Sequence, residues 1–182
     1  MLLAIDCGNT NIVFAIYDGD KQLASWRINS DSRRSTDEYI VWLTQLMTLK
    51  SIDVADIDGV MIASVVPDIQ QKLVALAHRG FDLAPLCVDD PNVDLGIAIN
   101  IDRPDQAGAD RLVNAVAAAA WHKLPAIVID FGTATTLDLI GDKGAYEGGI
   151  IAPGVNLSIE ALYMAAARLP RRRHPKQPPQ LP

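Results

Sequence analysis

Asp6-Cys7-Gly8-Asn9-Thr10-Asn11 separates two short apolar segments, Leu2 to Ile5 and Ile12 to Tyr17, and its residue types suit phosphate chemistry. A carboxylate at a strand end can ligate or orient a hydrated Mg²⁺. Glycine lets backbone approach a phosphate, and amides and short polar side chains donate to its oxygens. The turn joins strand to strand, which separates it from the P-loop and from GxGxxG, both of which open helices. The same residues also make an ordinary hairpin turn. The pattern returns at Asp130-Phe131-Gly132-Thr133-Ala134-Thr135-Thr136, with Asp6 over Asp130, Gly8 over Gly132 and Asn9 over Thr133 at an offset of 124 residues. Two such turns, facing each other across two lobes, would clamp a polyphosphate as kinases do.

Two further segments carry candidate chemistry. In Gly108-Ala109-Asp110-Arg111, Asp110 either caps the helix that follows or stands at a cleft as a general base. Arg111 is then available for an anionic group on the substrate. Gly148-Gly149-Ile150-Ile151-Ala152-Pro153-Gly154 reads either as a strand and turn or as a loop that closes over a substrate. His78, His122 and His174 are isolated and read as surface or helix-end residues. Cys7 and Cys87 lack a CxxC or Cys/His neighbourhood, so neither a disulfide scaffold nor a structural zinc site is expected. No Ser/His/Asp or Cys/His constellation supports hydrolase chemistry.

The elements that position these residues read as an α/β chain. Leu2 to Ile5, Ile12 to Tyr17 and Gln22 to Ile28 are three antiparallel strands. Ser35-Thr36-Asp37-Glu38 is a capping box before Tyr39, Leu43 and Leu46 at helical spacing. Gly59 to Val66 is a strand buried on both faces, Asp68 to Arg79 a helix with Gly80 as its C-cap, and Leu83 to Val88 a short strand. Residues 89 to 110 form a long connection with six aspartates, and Asp110 to His122 is a helix. The opening plan then repeats as Ala126 to Ile129, Leu137 to Ile140 and Ala145 to Ile151, followed by a helix over Asn156 to Arg168. We read an internal duplication. The expected units are a first lobe at 1–124, the start of a second at 125–169 and a disordered tail at 170–182. Relative to the first copy the second lacks about one helix and two strands, which leaves its sheet with an open apolar edge.

Composition narrows the function classes. The 182 residues are 49% hydrophobic and 21% charged, which suits a globular domain. A net charge of −6 argues against nucleic acid or an anionic membrane as the main partner. The basic cluster Arg171 to Lys176 sits in the proline-rich tail and reads as a solvated end. The N-terminal apolar run stops at Asp6 without a basic region before it, and no stretch is long enough to cross a membrane, so a cytoplasmic protein is expected.

Taken together, the Asp6–Asn11 turn, Gly108–Arg111, the Asp130–Thr136 turn and Gly148–Gly154, in this order and spacing, closely resemble the type III pantothenate kinases over residues 1 to about 170. The resemblance implies the acetate kinase/sugar kinase/Hsp70/actin fold, with duplicated ribonuclease H-like lobes and the nucleotide between them. It also implies ATP-dependent phosphorylation of the primary hydroxyl of pantothenate, the first step of coenzyme A synthesis. Carried over by motif, Asp6, Cys7, Gly8, Asn9, Thr10, Asn11, Ile12 and Val13 match the ATP phosphate loop, with Thr133 contributing from the second lobe. Gly108, Ala109, Asp110 and Arg111 match the substrate segment with Asp110 as base. Asp130 matches a monovalent cation ligand (K⁺ or NH₄⁺), and Mg²⁺ accompanies ATP. A homodimer is the implied state. Ile101 stands where many members carry tyrosine, and members continue beyond this length. A truncated chain that only binds ligand or dimerises is the other reading.

Overall fold

The computed structural model describes residues 1–165; the expected tail at 170–182, His174 and the last residues of the final helix lie outside them. Strands β1 (Leu2–Cys7), β2 (Asn11–Asp18) and β3 (Lys21–Asn29) form an antiparallel meander. Period-two alternation sends Leu3, Ile5 and Cys7 of β1, and Ile12, Phe14 and Ile16 of β2, into one core. Asp6 and Val13, a paired position in the same ladder, point to the other face.

Helix α1 (Thr36–Leu49) starts at the anticipated capping box: Ser35 Oγ accepts from the Glu38 amide, and the Glu38 carboxylate accepts from the Ser35 amide at 2.7 Å. It buries Tyr39, Leu43 and Met47 on the sheet. Strand β4 (Gly59–Ser64) adds parallel to β1, and α2 (Pro67–Phe81) returns over the same face with Ile69, Leu73, Leu76 and Ala77. The helix does not end at Gly80 as expected. It continues to Phe81, and Asp82 takes the left-handed cap at φ 56°. Gly80 instead lies against α1, where a Cβ would stand 3.4 Å from Ile40 Cγ1. Strand β5 is only Leu86–Cys87, shorter than the run from Leu83 to Val88 suggested, and closes the sheet order β3-β2-β1-β4-β5.

The long connection is anchored rather than free. Leu95, Ile97, Ile99 and Ile101 pack on a second core, and the Tyr146 backbone exchanges hydrogen bonds with Ala98 and Asn100, both at 2.8 Å. Helix α3 (Ala109–Trp121) has Gly108 as its N-cap, so Asp110 is its second residue and not its cap. The small face Ala109, Leu112, Ala115 and Ala118 lets α3 pack closely between the sheets, against Ala63 of β4 on one side and Ile140 and Tyr146 on the other.

The second sheet, β6 (Ala126–Phe131), β7 (Ala134–Ile140) and β8 (Tyr146–Pro153), repeats the meander. Its hairpin is one residue tighter: Cys7 pairs with Ile12 across the first turn, whereas Phe131 pairs with Thr135 across the second. The offset between copies therefore drops from 124 to 123 inside the turn, and Thr133 corresponds in space to Thr10 rather than to Asn9. Helix α4 (Val155–Ala165) follows β8 as α1 follows β3, but buries nothing. Among the described residues, the second lobe has no counterpart of β4, α2 or β5. No described helix is long and apolar enough to cross a membrane.

Candidate active site

The two turns meet. Thr10 Oγ1 and Thr133 Oγ1 are 2.8 Å apart and share a hydrogen bond between the lobes. Each turn is closed by a glycine amide: Gly8 N donates to Asn11 O at 3.0 Å, and Gly132 N to Ala134 O at 2.9 Å. Ser30, next to the end of β3, braces the first turn through its hydroxyl, which donates to Gly8 O at 2.5 Å. Gly154 braces the second: a Cβ there would stand 2.3 Å from Thr133 O and 2.6 Å from Gly132 O, so only glycine lets β8 hand over to α4 at this point.

Between the turns lies a cleft of about 290 Å³. Asp6, Gly8, Asn9, Thr10, Asn11 and Val13 line it from the first lobe, Asp110 from α3, and Asp130 and Thr133 from the second lobe. The carboxylates of three elements that are far apart in sequence thus share one cavity. The cavity walls, and then the charges of Asp110 and Asp130, hold the Asp6 carboxyl above its ordinary range, against the pull of Arg27. Solvent reaches Asp6 through the cleft mouth, yet the walls still desolvate it.

Other expected residues face elsewhere. Cys7 and Ile12 point into the first core with 1% and 0% exposure, since alternation sends their side chains away from the turn's open face. Burial pushes the Cys7 thiol up, away from nucleophilic use. Ala109 packs in the second core. Gly108 does not line the cleft, but its missing side chain makes room for a residue that does: a Cβ there would sit 2.6 Å from Asp110 Oδ1. That oxygen accepts from the Arg111 amide at 2.8 Å.

Arg111 is turned inward. Its Nε donates to Asp138 Oδ1 at 2.7 Å, and the Tyr146 hydroxyl donates to the same oxygen at 2.9 Å. Asp138 is fully buried, and the Arg111 side chain is only 12% exposed. Burial first, then the bond to Asp138, pushes the Tyr146 phenol up to about 12. Gly149 belongs to this arrangement, because a Cβ would meet Arg111 Nη2 and Asp138 Oδ1 at 2.5 Å each. The Gly148–Gly154 segment is therefore the strand of the two readings: its glycines admit the ion pair and the turn. Ile101 packs on the same segment, its Cγ2 3.2 Å from where a Gly148 Cβ would stand.

Arg27, Val65 and Thr136 also line the cleft and were not anticipated. Arg27 lies on β3, whose alternation is too loose to assign its faces from sequence. Thr136 was read only as part of the turn, yet its hydroxyl is buried at the cleft with no hydrogen-bond partner. Among the described residues, no three His, Cys, Asp or Glu side chains stand close enough to hold a metal ion by themselves. The donor set is nonetheless one for cations and phosphate together: three carboxylates, one guanidinium, and hydroxyls on both turns.

A sequence model of the family described as type III pantothenate kinase matches residues 2–181. Curated proteins named type III pantothenate kinase are similar: one from Rhodospirillum rubrum is 58% identical over 171 residues, and one from Maricaulis maris 54% identical over 171 residues. Each alignment takes in 94% of this chain and 66% of the relative, so the chain spans just under two thirds of their length. Among solved structures, a Baf family protein from Campylobacter jejuni superposes with TM-score 0.53 at 18% identity, over 93% of this chain and 63% of that one. The type II variant of an Aquifex aeolicus Ppx/GppA phosphatase superposes with TM-score 0.52 at 14% identity, over 88% and 55%. At these identities the superpositions speak for the fold alone.

Proposed function

The chain belongs to the type III pantothenate kinase family, and from that premise we propose that its cleft phosphorylates the primary hydroxyl of pantothenate with ATP, giving 4'-phosphopantothenate for coenzyme A synthesis. The convergence of Asp6, Asp110 and Asp130 with two polar turns on one cavity carries the reading. Phosphoryl transfer asks a protein mainly for positioning and charge neutralisation. Both polar turns suit a polyphosphate, with Thr10 and Thr133 donating from opposite lobes and the unpaired Thr136 hydroxyl within the same cavity. ATP supplies the phosphoryl group. Asp110 takes the acceptor hydroxyl's proton as its oxygen bonds to the terminal phosphorus and the bond to the bridging oxygen breaks.

The metal requirement fits the same residues. A cavity that gathers three carboxylates around one arginine is short of positive charge, and Asp110 and Asp130 add to the desolvation that raises the Asp6 carboxyl. Asp6 would orient Mg²⁺ arriving with ATP, and Asp130 would ligate K⁺ or NH₄⁺, which offsets the charge that builds on the transferring group. Gly108, Ala109, Asp110 and Arg111 form the acceptor segment in this proposal. Arg111 acts there from within its pair with Asp138, not as a free side chain. A cytoplasmic homodimer is the working form.

The test is ATP-dependent phosphorylation of pantothenate with Mg²⁺ and K⁺, wild type against Asp110→Asn. Turnover confined to wild type, with nucleotide binding kept in the variant, supports the reading; equal turnover removes Asp110 as the base. Asp130→Asn should raise the K⁺ requirement. The second reading is a chain that binds ligand or dimerises without turnover. Nucleotide binding by folded wild type with no phosphorylated product would select it.

A further inference from the structure

Strand register sets Asp6, Val13 and Arg27 in one row across the first sheet, because Asp6 pairs with Val13 and Val13 with Arg27. Side chains directly opposite one another share a face. Trp26 and Ile28, on either side of Arg27, pack on the first core, so alternation turns Arg27 toward the cleft. The row continues to Ala63 of β4, which pairs with Asp6 and packs against α3. Arg27 and Asp110 therefore line the cleft from opposite sides. Helix α3 brings Asp110 in beside β4, and Arg27 enters from β3, three strands away in the sheet order.

Among the described residues that line the cleft, Arg27 is the only cation, against Asp6, Asp110 and Asp130. It is also uncommitted. Arg111 gives its guanidinium to Asp138, whereas Arg27 is exposed and, among the described residues, neither donates a hydrogen bond nor forms an ion pair. Two strand spacings, about 10 Å, separate the Arg27 and Asp6 backbones. Arg27 acts on the Asp6 carboxyl through space without closing on it. Duplication does not account for it either. The equivalent row of the second sheet is Asp130, Thr136 and Ile151, so an apolar residue stands where the first copy has arginine. A guanidinium at the wall of an acidic cavity, bonded to nothing, suits an oxyanion that it can grip through two oxygens.

We infer that Arg27 is a phosphate ligand: its fork takes two oxygens of the diphosphate part of the nucleotide, the part that departs when the terminal phosphoryl group moves to the acceptor. The inference rests on the proposed phosphoryl transfer and adds to it a residue that neither polar turn supplies. The row order fixes which phosphates Arg27 meets. Asp110 receives the acceptor's proton on the β4 side, so the terminal phosphate lies there and the other two extend toward β3. As the bond to the bridging oxygen breaks, charge gathers on the departing diphosphate, and a fixed guanidinium offsets it.

The experiment titrates inorganic diphosphate with Mg²⁺ into the full 182-residue chain by calorimetry, and measures turnover of ATP and pantothenate in parallel. Arg27 is exposed, so its variants fold, and an unchanged urea midpoint checks this. Arg27→Ala should weaken diphosphate binding at least about tenfold. Arg27→Lys, which keeps the charge and loses the fork, should weaken it at least about threefold. The alanine loss should be the same in an Asp6→Asn background, since the contact is with phosphate. In turnover, Arg27→Ala should lower kcat/KM for ATP at least about tenfold while the KM for pantothenate holds. Wild-type affinity in Arg27→Ala, or a wild type that binds no diphosphate, overturns the inference. Wild-type affinity in Arg27→Lys overturns the forked contact, and a loss that vanishes beside Asp6→Asn shows that Arg27 acts only through that carboxylate. Diphosphate binding that depends on Arg27, in a chain that does not phosphorylate pantothenate, keeps the phosphate ligand and rejects the proposed reaction instead.

Discussion

Gly108→Ala separates the placement of Asp110 from the stability of the fold. Gly108 is the N-cap of α3 at φ −62° and ψ 143°, a conformation alanine adopts freely. Losing glycine's freedom in the unfolded chain stabilises by about 0.4–1 kcal/mol. Alanine is a poorer cap than glycine by a comparable amount, so the net change stays within about 1 kcal/mol. The new methyl carbon would stand 2.6 Å from Asp110 Oδ1, where ordinary contact begins at 3.4 Å, so the carboxylate must retreat by about 0.8 Å. It can retreat, because it is a side chain and not backbone. A displacement near 1 Å at a reacting group costs up to roughly 100-fold. The expected result is a kcat lowered about 10- to 100-fold, a barrier raised by about 1.4–2.7 kcal/mol. The KM for ATP should hold. Coupled detection of ADP formation gives the rates, and urea unfolding followed by circular dichroism gives the stability. A folded variant with wild-type kcat would refute Asp110 as a positioned base. A loss of activity that tracked a loss of several kcal/mol would refute the separation.

Three other outcomes follow from the same geometry. Asp6 holds its proton more tightly in the native state than in the unfolded chain, so its ionisation destabilises the fold as pH rises above the ordinary carboxylate range; Asp6→Asn should raise the urea midpoint more at about pH 7 than at about pH 3.5, and a gain equal at both refutes the charge argument. Asp138→Asn strips the buried Arg111 of its counter-ion and should cost about 3–5 kcal/mol in urea unfolding; a cost under about 1 kcal/mol would mean the pair is not formed. Gly149→Ala sets a methyl carbon 2.2 Å from Leu137 O, a backbone atom that cannot step aside, and should destabilise by more than about 3 kcal/mol; near-wild-type thermal unfolding would show that β8 does not lie where described.

Much of the site was legible because turns and period-two strands write themselves locally. Asp6 and Asp130 stand out as acids at the ends of apolar runs, and the repeat between them reveals two lobes before any contact is known. The capping box at Ser35 and Glu38 is equally local, and it formed as expected. What sequence could not supply was which partner a side chain finds at long range. Arg111 looks free beside Asp110, but its counter-ion lies 27 residues away on β7, and only the packing of α3 against that strand joins them. The glycines at 148, 149 and 154 left strand and closing loop equally open, because glycine signals freedom in either; here they are sites where another group comes too close for a side chain. Gly80 failed as a cap for a similar reason, since the neighbouring helix, not the chain end, needs it. The one-residue shortening of the second turn was hidden because it leaves the Asp-x-Gly spacing untouched.

The shared hydrogen bond between Thr10 and Thr133 has a consequence for occupancy. Each lobe satisfies the other's hydroxyl, so the junction is held by the same groups that the proposed reading offers to a phosphate. A ligand entering between the turns must exchange one bond for two rather than simply add two. That swap forfeits about 0.5–1.5 kcal/mol, a factor of roughly 2 to 13 in dissociation constant. An anion that contacts both hydroxyls, which at 2.8 Å apart lie within reach of a single phosphate's oxygens, recovers it, and an anion held by one turn alone does not. The junction thus favours anions that engage both lobes over anions held by one.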